Sequence, residues 1–186
     1  MDDNLVKRIG RTGLYVVQGD ITQIPTDAIM TAINSAGLWF GGVDRAIQRV
    51  AGDHYHSQAG NAMPLYNLKT VIARGDASQH GGRFNDVVFV VDDLRSSLDQ
   101  VVYTGLEAAH QEGYNKLLIP AMRMGVMAGV VERTPEETIA RLKQGMEKFM
   151  REYGEQTRLE NLTFVVYRDP NMTRQLQTGL GRALLN

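Results

Sequence analysis

The chain has 186 residues, of which 43% are hydrophobic and 22% charged, and its formal net charge is −1. This composition is typical of a globular protein, and the length predicts a single domain over residues 1–186. The near-neutral charge argues against a nucleic-acid-binding protein, because nucleic-acid-binding surfaces are strongly basic. The absence of cysteine excludes disulfides, thiolate catalysis and cysteine-ligated zinc.

The start of the chain, residues 1–4, is acidic and has no apolar stretch, so we expect no secretory signal. No apolar run approaches the ~20 residues that are needed to span a bilayer. We therefore expect a cytoplasmic protein with no membrane contact.

Short apolar runs alternate with stretches of helical periodicity along the chain. Strands are predicted at residues 14–17, 27–33, 70–73, 87–91, 117–119 and 162–167. Helices are predicted at residues 43–51, 94–109, 135–149 and 171–185. Asp93 is the expected N-cap of the second helix, and Thr134 with Glu137 forms a capping box before the third. This alternation predicts an α/β fold with a mostly parallel sheet covered on both faces.

Three segments that follow predicted strands carry the candidate chemistry, because ligands of such folds bind outside the carboxyl ends of the strands. The first is Gly19-Asp20-Ile21-Thr22. The Asp20 carboxylate can accept hydrogen bonds from an amine or hydroxyl of a ligand. Alternatively, it caps the next turn through the backbone, as Asp commonly does.

The second segment, residues 34–44, is called the glycine-pair loop here and leads through Gly41 and Gly42 into a predicted helix. Glycines allow backbone N–H groups to approach a ligand closely, and a helix start favours an anion. The segment matches neither the dinucleotide-binding nor the P-loop motif. Asp44 is either part of the site or a first-turn acid that complements the helix dipole.

The third segment, residues 122–129, is called the methionine loop and contains Gly125, Ala128 and Gly129. These small residues predict a close backbone approach to a ligand; the alternative is a flexible loop with buried methionines. Two interpretations of Arg123 remain open. It either adds a charge-assisted contact to a phosphate, or it points to solvent or pairs with a nearby acid.

The order and spacing of these segments resemble the macrodomain family over nearly the whole chain. The residues that carry the resemblance are Val17-Gln18-Gly19-Asp20-Ile21-Thr22, residues 27–35, Gly41-Gly42-Val43-Asp44 with Ile47, Ala51 and Gly52, and Ile119-Pro120-Ala121 with Gly125-Val126. The resemblance implies a three-layer α/β/α sandwich with a central mixed, mostly parallel sheet. It also implies binding of ADP-ribose, free or attached to a protein, without a metal or another cofactor.

The resemblance also implies roles for individual residues. Asp20 would bind the adenine amine, with help from the Ile21 backbone, and Tyr167 would flank the base. Asn34 would lie near the distal ribose, and Asp44 matches the catalytic acid of the hydrolase branch, so Asn34 and Asp44 are the catalytic residues implied. The remaining ligand-binding residues implied are Gly41, Gly42, Val43, Arg123, Gly125, Val126 and Met127.

The chain departs from the family pattern around the distal ribose, where Thr31, Trp39, Phe40 and Gln48 replace the usual residues. Three functions therefore stay open. The chain binds ADP-ribose; or it also removes ADP-ribose from modified proteins or deacetylates O-acetyl-ADP-ribose; or it is a non-catalytic module for another nucleotide or a protein partner. The sequence does not define the oligomeric state. His54 and His56 lack the spacing of a zinc site and are expected to be surface residues.

Overall fold

The computed structural model describes residues 4–37 and 41–181, which form seven strands and five α-helices. The strands are β1 (Leu5–Ile9), β2 (Thr12–Gln18), β3 (Ala28–Ile33), β4 (Thr70–Ala73), β5 (Asp86–Val91), β6 (Lys116–Pro120) and β7 (Asn161–Val166). The helices are α1 (Gly42–Ala51), α2 (His54–Asn61), α3 (Leu98–Glu112), α4 (Pro135–Tyr153) and α5 (Pro170–Gly181).

The strands form one sheet in the order β1-β2-β7-β6-β3-β5-β4. The five central strands run parallel, and the two edge strands β1 and β4 are antiparallel to their neighbours. The expected central mixed, mostly parallel sheet is therefore confirmed.

The sheet is buried on both faces, because successive side chains of its strands point alternately to two hydrophobic clusters. In β3, Ala28 and Met30 join the cluster with α3, α4 and α5, whereas Ile29 and Ile33 join the cluster with α1 and α2. The three-layer α/β/α arrangement is thus confirmed. Its near-continuous apolar strands are what a parallel sheet between two helical layers requires.

Two elements were not predicted from the sequence. β1 contains only exposed and half-buried residues, and its Lys7 and Arg8 interrupt any apolar run. α2 is largely polar, yet it buries Tyr55, His56 and Ala59 against the sheet. The hydrophobic patterns of β1 and α2 are therefore too weak for these elements to be predicted from the sequence.

Two predicted helix caps have different outcomes. Thr134 Oγ1 accepts a hydrogen bond of 3.1 Å from the Glu137 N–H, which confirms the cap of α4. The N-cap predicted at Asp93 is wrong, because α3 begins at Leu98, with Ser97 at the cap position. The Asp93 carboxylate instead accepts from the Ser35 N–H at 2.8 Å and so ties the glycine-pair loop to the end of β5.

The five parallel strands end at the same edge of the sheet. Asp20 follows β2, the glycine-pair loop follows β3, Asp92 follows β5, the methionine loop follows β6 and Tyr167 follows β7. The predicted segments are thus brought together where ligands of open α/β sheets bind. None of the described helices combines the length and apolarity that crossing a membrane requires.

Candidate functional site

Two adjoining cavities open at this edge of the sheet. The larger, called the acidic cavity, has a volume of about 330 Å³. Its described lining residues are Thr31, Ala32, Gly41, Gly42, Val43, Asp44, Asp92, Leu94, Pro120, Ala121, Met122, Arg123, Gly125, Val126 and Met127. It thus contains two carboxylates between the glycine-pair and methionine loops.

The second, called the arginine cavity, has a volume of about 270 Å³. Its described lining residues are Gly19, Asp20, Ile21, Gly42, Val43, Arg45, Ala46, Arg49, Pro120, Val165 and Tyr167. Gly42, Val43 and Pro120 line both cavities. The two therefore form one elongated cleft whose middle is the start of α1.

The structure brings together all but one of the residues predicted for the site. Asp20, Ile21 and Tyr167 lie in the arginine cavity, and the predicted residues from Gly41 to Asp44 and from Arg123 to Met127 lie in the acidic cavity. Asn34 lies at the end of β3 but is not among the described residues that line either cavity. Its Oδ1 accepts from the Ala36 N–H at 3.1 Å, so its contact with a ligand stays a prediction.

Asp20 caps the short 3₁₀ turn that follows β2. Its Oδ1 accepts from the Thr22 N–H at 2.9 Å and from the Thr22 hydroxyl at 2.7 Å. The capping interpretation of this residue is therefore correct, and it does not compete with ligand binding. A carboxylate has two oxygens with about four acceptor positions, and these bonds within the described residues use only Oδ1.

The middle of the cleft is made of backbone. Gly41 has φ +134°, a conformation that is essentially restricted to glycine, and it turns the chain into α1. The first-turn N–H groups of a helix have no intrahelical acceptor and carry the positive end of the dipole. Across the cleft, the Val126 side chain approaches to 4.0 Å from the position that a Gly41 Cβ would occupy. The glycine-pair and methionine loops therefore meet above a helix N-terminus that favours an anion.

Asp44 is buried with an exposed fraction of only 2%, and it pairs with a histidine from α2. His56 Nε2 lies 3.2 Å from Asp44 Oδ1, and Nε2 must be the donor because a carboxylate only accepts. The expectation of a surface His56 is thus wrong, because α2 was not predicted; His54 is exposed as expected. The pair holds a carboxylate in the wall of the acidic cavity with a fixed orientation.

Arg123 lines the acidic cavity, and its guanidinium group is engaged by buried acids. Its Nη1 donates to both carboxylate oxygens of Glu132, at 2.9 and 3.0 Å, and its Nη2 donates to Asp92 Oδ1 at 2.9 Å. Nη2 also donates to the Ser96 carbonyl at 2.9 Å. Of the two interpretations of Arg123, the structure supports pairing with acids, and its predicted phosphate contact is not supported by this geometry.

The Arg123 network fixes the path of the methionine loop. Arg123 has φ +58°, which costs a non-glycine residue on the order of 1–3 kcal/mol unless the surroundings enforce it. Here Glu132 also accepts from the Leu98 N–H at 2.8 Å, so the network joins the loop to the start of α3. The methionine burial in the alternative interpretation is borne out at Met122 and Met124, and the flexibility that it assigns to the loop stays a prediction.

Sequence reasoning missed three charged residues of the cleft. Asp92 directly follows β5, and Asp20 follows β2 after one glycine, so a carboxylate close to a strand end was a usable signal. Arg45 and Arg49 lie four residues apart on α1, directly after the glycine pair, so both belong to one helix face. Trp39 and Phe40, which replace the usual residues of the family near the distal ribose, lie outside the described residues.

No family model matches the chain, whereas individual proteins and structures do. An O-acetyl-ADP-ribose deacetylase of Cronobacter turicensis is 33% identical over 129 residues, which cover 61% of this chain and 69% of that protein. An O-acetyl-ADP-ribose deacetylase of Escherichia fergusonii is 31% identical over 127 residues, which cover 62% of this chain and 70% of that protein.

Solved structures share the fold at lower identity. A Trypanosoma brucei macrodomain in complex with ADP-ribose superposes with a TM-score of 0.77 at 18% identity, over 96% of this chain and 74% of that one. An Oceanobacillus iheyensis macrodomain with ADP gives a TM-score of 0.70 at 22% identity, over 94% and 93% of the two chains. The similarity to these solved structures shows the fold, whereas the similarity to the sequence relatives shows the family.

Proposed function

Because the chain belongs to the macrodomain family, we propose that its cleft binds ADP-ribose or a nucleotide that contains it. The observation that carries this proposal is the division of the cleft into two cavities joined at the start of α1. A ligand that fits has a nucleoside at one end, an anionic middle and a sugar at the other end.

Each part of ADP-ribose has a chemical counterpart along the cleft. The adenine amine donates to Asp20, and Tyr167 supplies an aromatic face beside it. The diphosphate lies against the N–H groups at the start of α1 and the backbone of Gly125 and Val126. The hydroxyls of the distal ribose donate to carboxylates of the acidic cavity, including Asp44.

Calorimetry with ADP-ribose tests the proposal. We expect saturable binding that Asp20→Ala weakens at least tenfold, which corresponds to about 1.4 kcal/mol. Asp76→Ala is the matched control, because Asp76 caps the other 3₁₀ turn through the Ser78 N–H but lies outside the cleft. An absence of heat up to millimolar ADP-ribose contradicts the proposal, and binding of a different nucleotide under those conditions supports the non-catalytic alternative.

We propose hydrolysis as a second activity of the same site, on the evidence of Asp44 and His56. Their buried pair presents a carboxylate to the cavity assigned to the distal ribose. In the deacetylation of O-acetyl-ADP-ribose, water adds to the ester carbonyl and the products are acetate and ADP-ribose. Asp44 would accept the proton of that water, and His56 would hold the carboxylate toward it.

The hydrolysis test follows release of ADP-ribose from O-acetyl-ADP-ribose and from a mono-ADP-ribosylated protein. Asp44→Asn keeps the size of the side chain and removes its basicity, so turnover should fall at least about a hundredfold. ADP-ribose affinity of the same variant reports whether the site is intact. Turnover that survives in Asp44→Ala removes Asp44 from the mechanism, and Asn34 then becomes the next residue to substitute.

The extent and location of the protein complete the proposal. We propose that residues 1–186 form one macrodomain, since both hydrophobic clusters pack on a single sheet. The cytoplasmic location inferred from the sequence stays part of this proposal.

A further inference from the structure

Two arginines form one wall of the arginine cavity. Arg45 and Arg49 are exposed residues of α1, and their spacing of four places their side chains one above the other on the same helix face. Asp20 and Tyr167 line the same cavity. The cavity proposed for the nucleoside is thus flanked by two guanidinium groups.

Neither guanidinium group is engaged within the described part of the chain. The hydrogen bonds and ion pairs of the described residues include the side chains of Arg74, Arg123, Arg141, Arg151 and Arg174, but not those of Arg45 and Arg49. Like charges four residues apart on a helix repel each other. An anion placed between Arg45 and Arg49 would relieve that repulsion.

Adenosine does not account for this charge. The base and ribose are neutral, and the diphosphate already has the start of α1, where Gly42 and Val43 separate the two cavities. At a rise of about 1.5 Å per residue, Arg49 lies roughly 10 Å along the axis from Gly42. The positive wall therefore continues from the diphosphate position toward the nucleoside end of the cleft.

We infer that the arginine cavity contains a second anionic subsite for a phosphate carried on the ribose of the adenosine. This inference rests on the proposed binding of an adenosine nucleotide. Guanidinium groups suit the task, because each can form two parallel hydrogen bonds to phosphate oxygens. The ligand class is an adenosine nucleotide that is phosphorylated at its 2′ or 3′ hydroxyl in addition to its 5′ position.

Calorimetry with four probes tests the inference: ADP-ribose, adenosine 5′-monophosphate, adenosine 2′,5′-bisphosphate and adenosine 3′,5′-bisphosphate. We expect at least one bisphosphate to bind threefold or more tightly than the monophosphate. This gain in affinity over the monophosphate should decrease when the salt concentration is raised from 50 to 200 mM, because salt screens phosphate contacts.

The variant Arg45→Gln/Arg49→Gln should lose the gain, so that the bisphosphates and the monophosphate bind it with affinities within about twofold of each other. The variant Arg141→Gln/Arg151→Gln on α4 makes the same change in net charge away from the cleft and should retain the gain. A wild-type gain below threefold overturns the inference. The inference is also overturned if the double variant binds all four probes more weakly by the same factor. The arginines would then contact the 5′ phosphate that all four probes share. Failure of ADP-ribose to bind the wild-type protein would contradict the proposed function separately.

Discussion

The two ends of the cleft hold their charges in different ways. In the acidic cavity, Asp44 is paired with His56, and Arg123 joins Asp92 to Glu132, all of them buried. In the arginine cavity, Asp20 is partly exposed, and Arg45 and Arg49 are exposed.

This difference implies that the charges of the acidic cavity contribute to stability, whereas those of the arginine cavity contribute mainly to ligand recognition. A buried charge is tolerated only with a partner, so the charged groups of the acidic cavity support the fold as well as the site. Exposed charges contribute little to stability and can be exchanged at small cost. Substitutions in the acidic cavity should thus lower stability and activity together, whereas those in the arginine cavity should change affinity alone.

The largest expected effect is that of Arg123→Met. The substitution leaves the carboxylates of Asp92 and Glu132 buried without their cation, and removal of one partner from a buried ion pair typically costs about 3–5 kcal/mol. Urea denaturation should show a decrease of that size in the free energy of unfolding.

The control for Arg123 is Arg141→Met, because Arg141 forms an exposed pair with Asp99 at 3.9 Å. Such pairs contribute about 0–1 kcal/mol. If the free energy of unfolding falls by less than about 1 kcal/mol in both variants, the Arg123 network does not stabilise the fold. The proposed difference between the two ends of the cleft would then be wrong. Adding Asp92→Asn and Glu132→Gln to Arg123→Met should recover part of the loss, since these changes remove the unpaired charges.

The next effect concerns the glycine pair at the junction of the two cavities. Gly41→Ala places a side chain at φ +134°, which should cost about 1–3 kcal/mol of stability and shift the N–H groups that face the ligand. Gly42→Ala is a matched control, because Gly42 lies in α1 and a Cβ there meets no atom within 4 Å. In this control, we expect unchanged or slightly higher stability, by about 0.4–1 kcal/mol.

Thermal or urea unfolding, together with ADP-ribose titration, distinguishes the two glycines. If Gly41→Ala unfolds and binds like Gly42→Ala, the conformation of Gly41 is not what shapes the middle of the cleft. A loss of affinity confined to Gly41→Ala instead supports a backbone-built anion site between the two ends.

The parts of the molecule that the sequence predicts well have local causes. β5 is a run of β-branched and aromatic residues, and α4 starts at a capping box, so both are readable from a few neighbouring residues. α2 is mostly polar, and its burial of Tyr55 depends on the sheet that it covers. The missed elements are therefore those whose structure is decided by tertiary packing.

The same distinction holds within the site. Asp20 lies close to the end of β2, and the glycine pair lies at the start of the helix that follows β3, so their place in the cleft is predictable from the topology. The Asp44–His56 pair depends on how α2 packs beside α1, and the Arg123 network joins it to Asp92, 31 positions earlier in the chain. Such pairings are not readable from spacing, which is why the sequence predicts residues of the acidic cavity but not the partners of their side chains.

The smallest expected effect is that of Tyr167→Ala on ADP-ribose affinity. Tyr167 has an exposed fraction of 64%, and its ring lies in the wall of the arginine cavity, with the Arg168 guanidinium 5.1 Å from its centre. An aromatic contact contributes about 0.5–1.5 kcal/mol, so affinity should fall roughly threefold to tenfold with little change in stability.

The control for Tyr167 is Tyr66→Ala. Tyr66 is 63% exposed and also has a cation near its ring, Lys69 Nζ at 5.5 Å, but it does not line the arginine cavity. Tyr167→Phe should bind ADP-ribose like the wild-type protein, because the ring rather than the hydroxyl makes the proposed contact. If Tyr66→Ala weakens binding as much as Tyr167→Ala, or if Tyr167→Phe behaves like Tyr167→Ala, the base does not lie against this ring. The exposed side chains of the arginine cavity would then not be the ones that recognise the nucleoside.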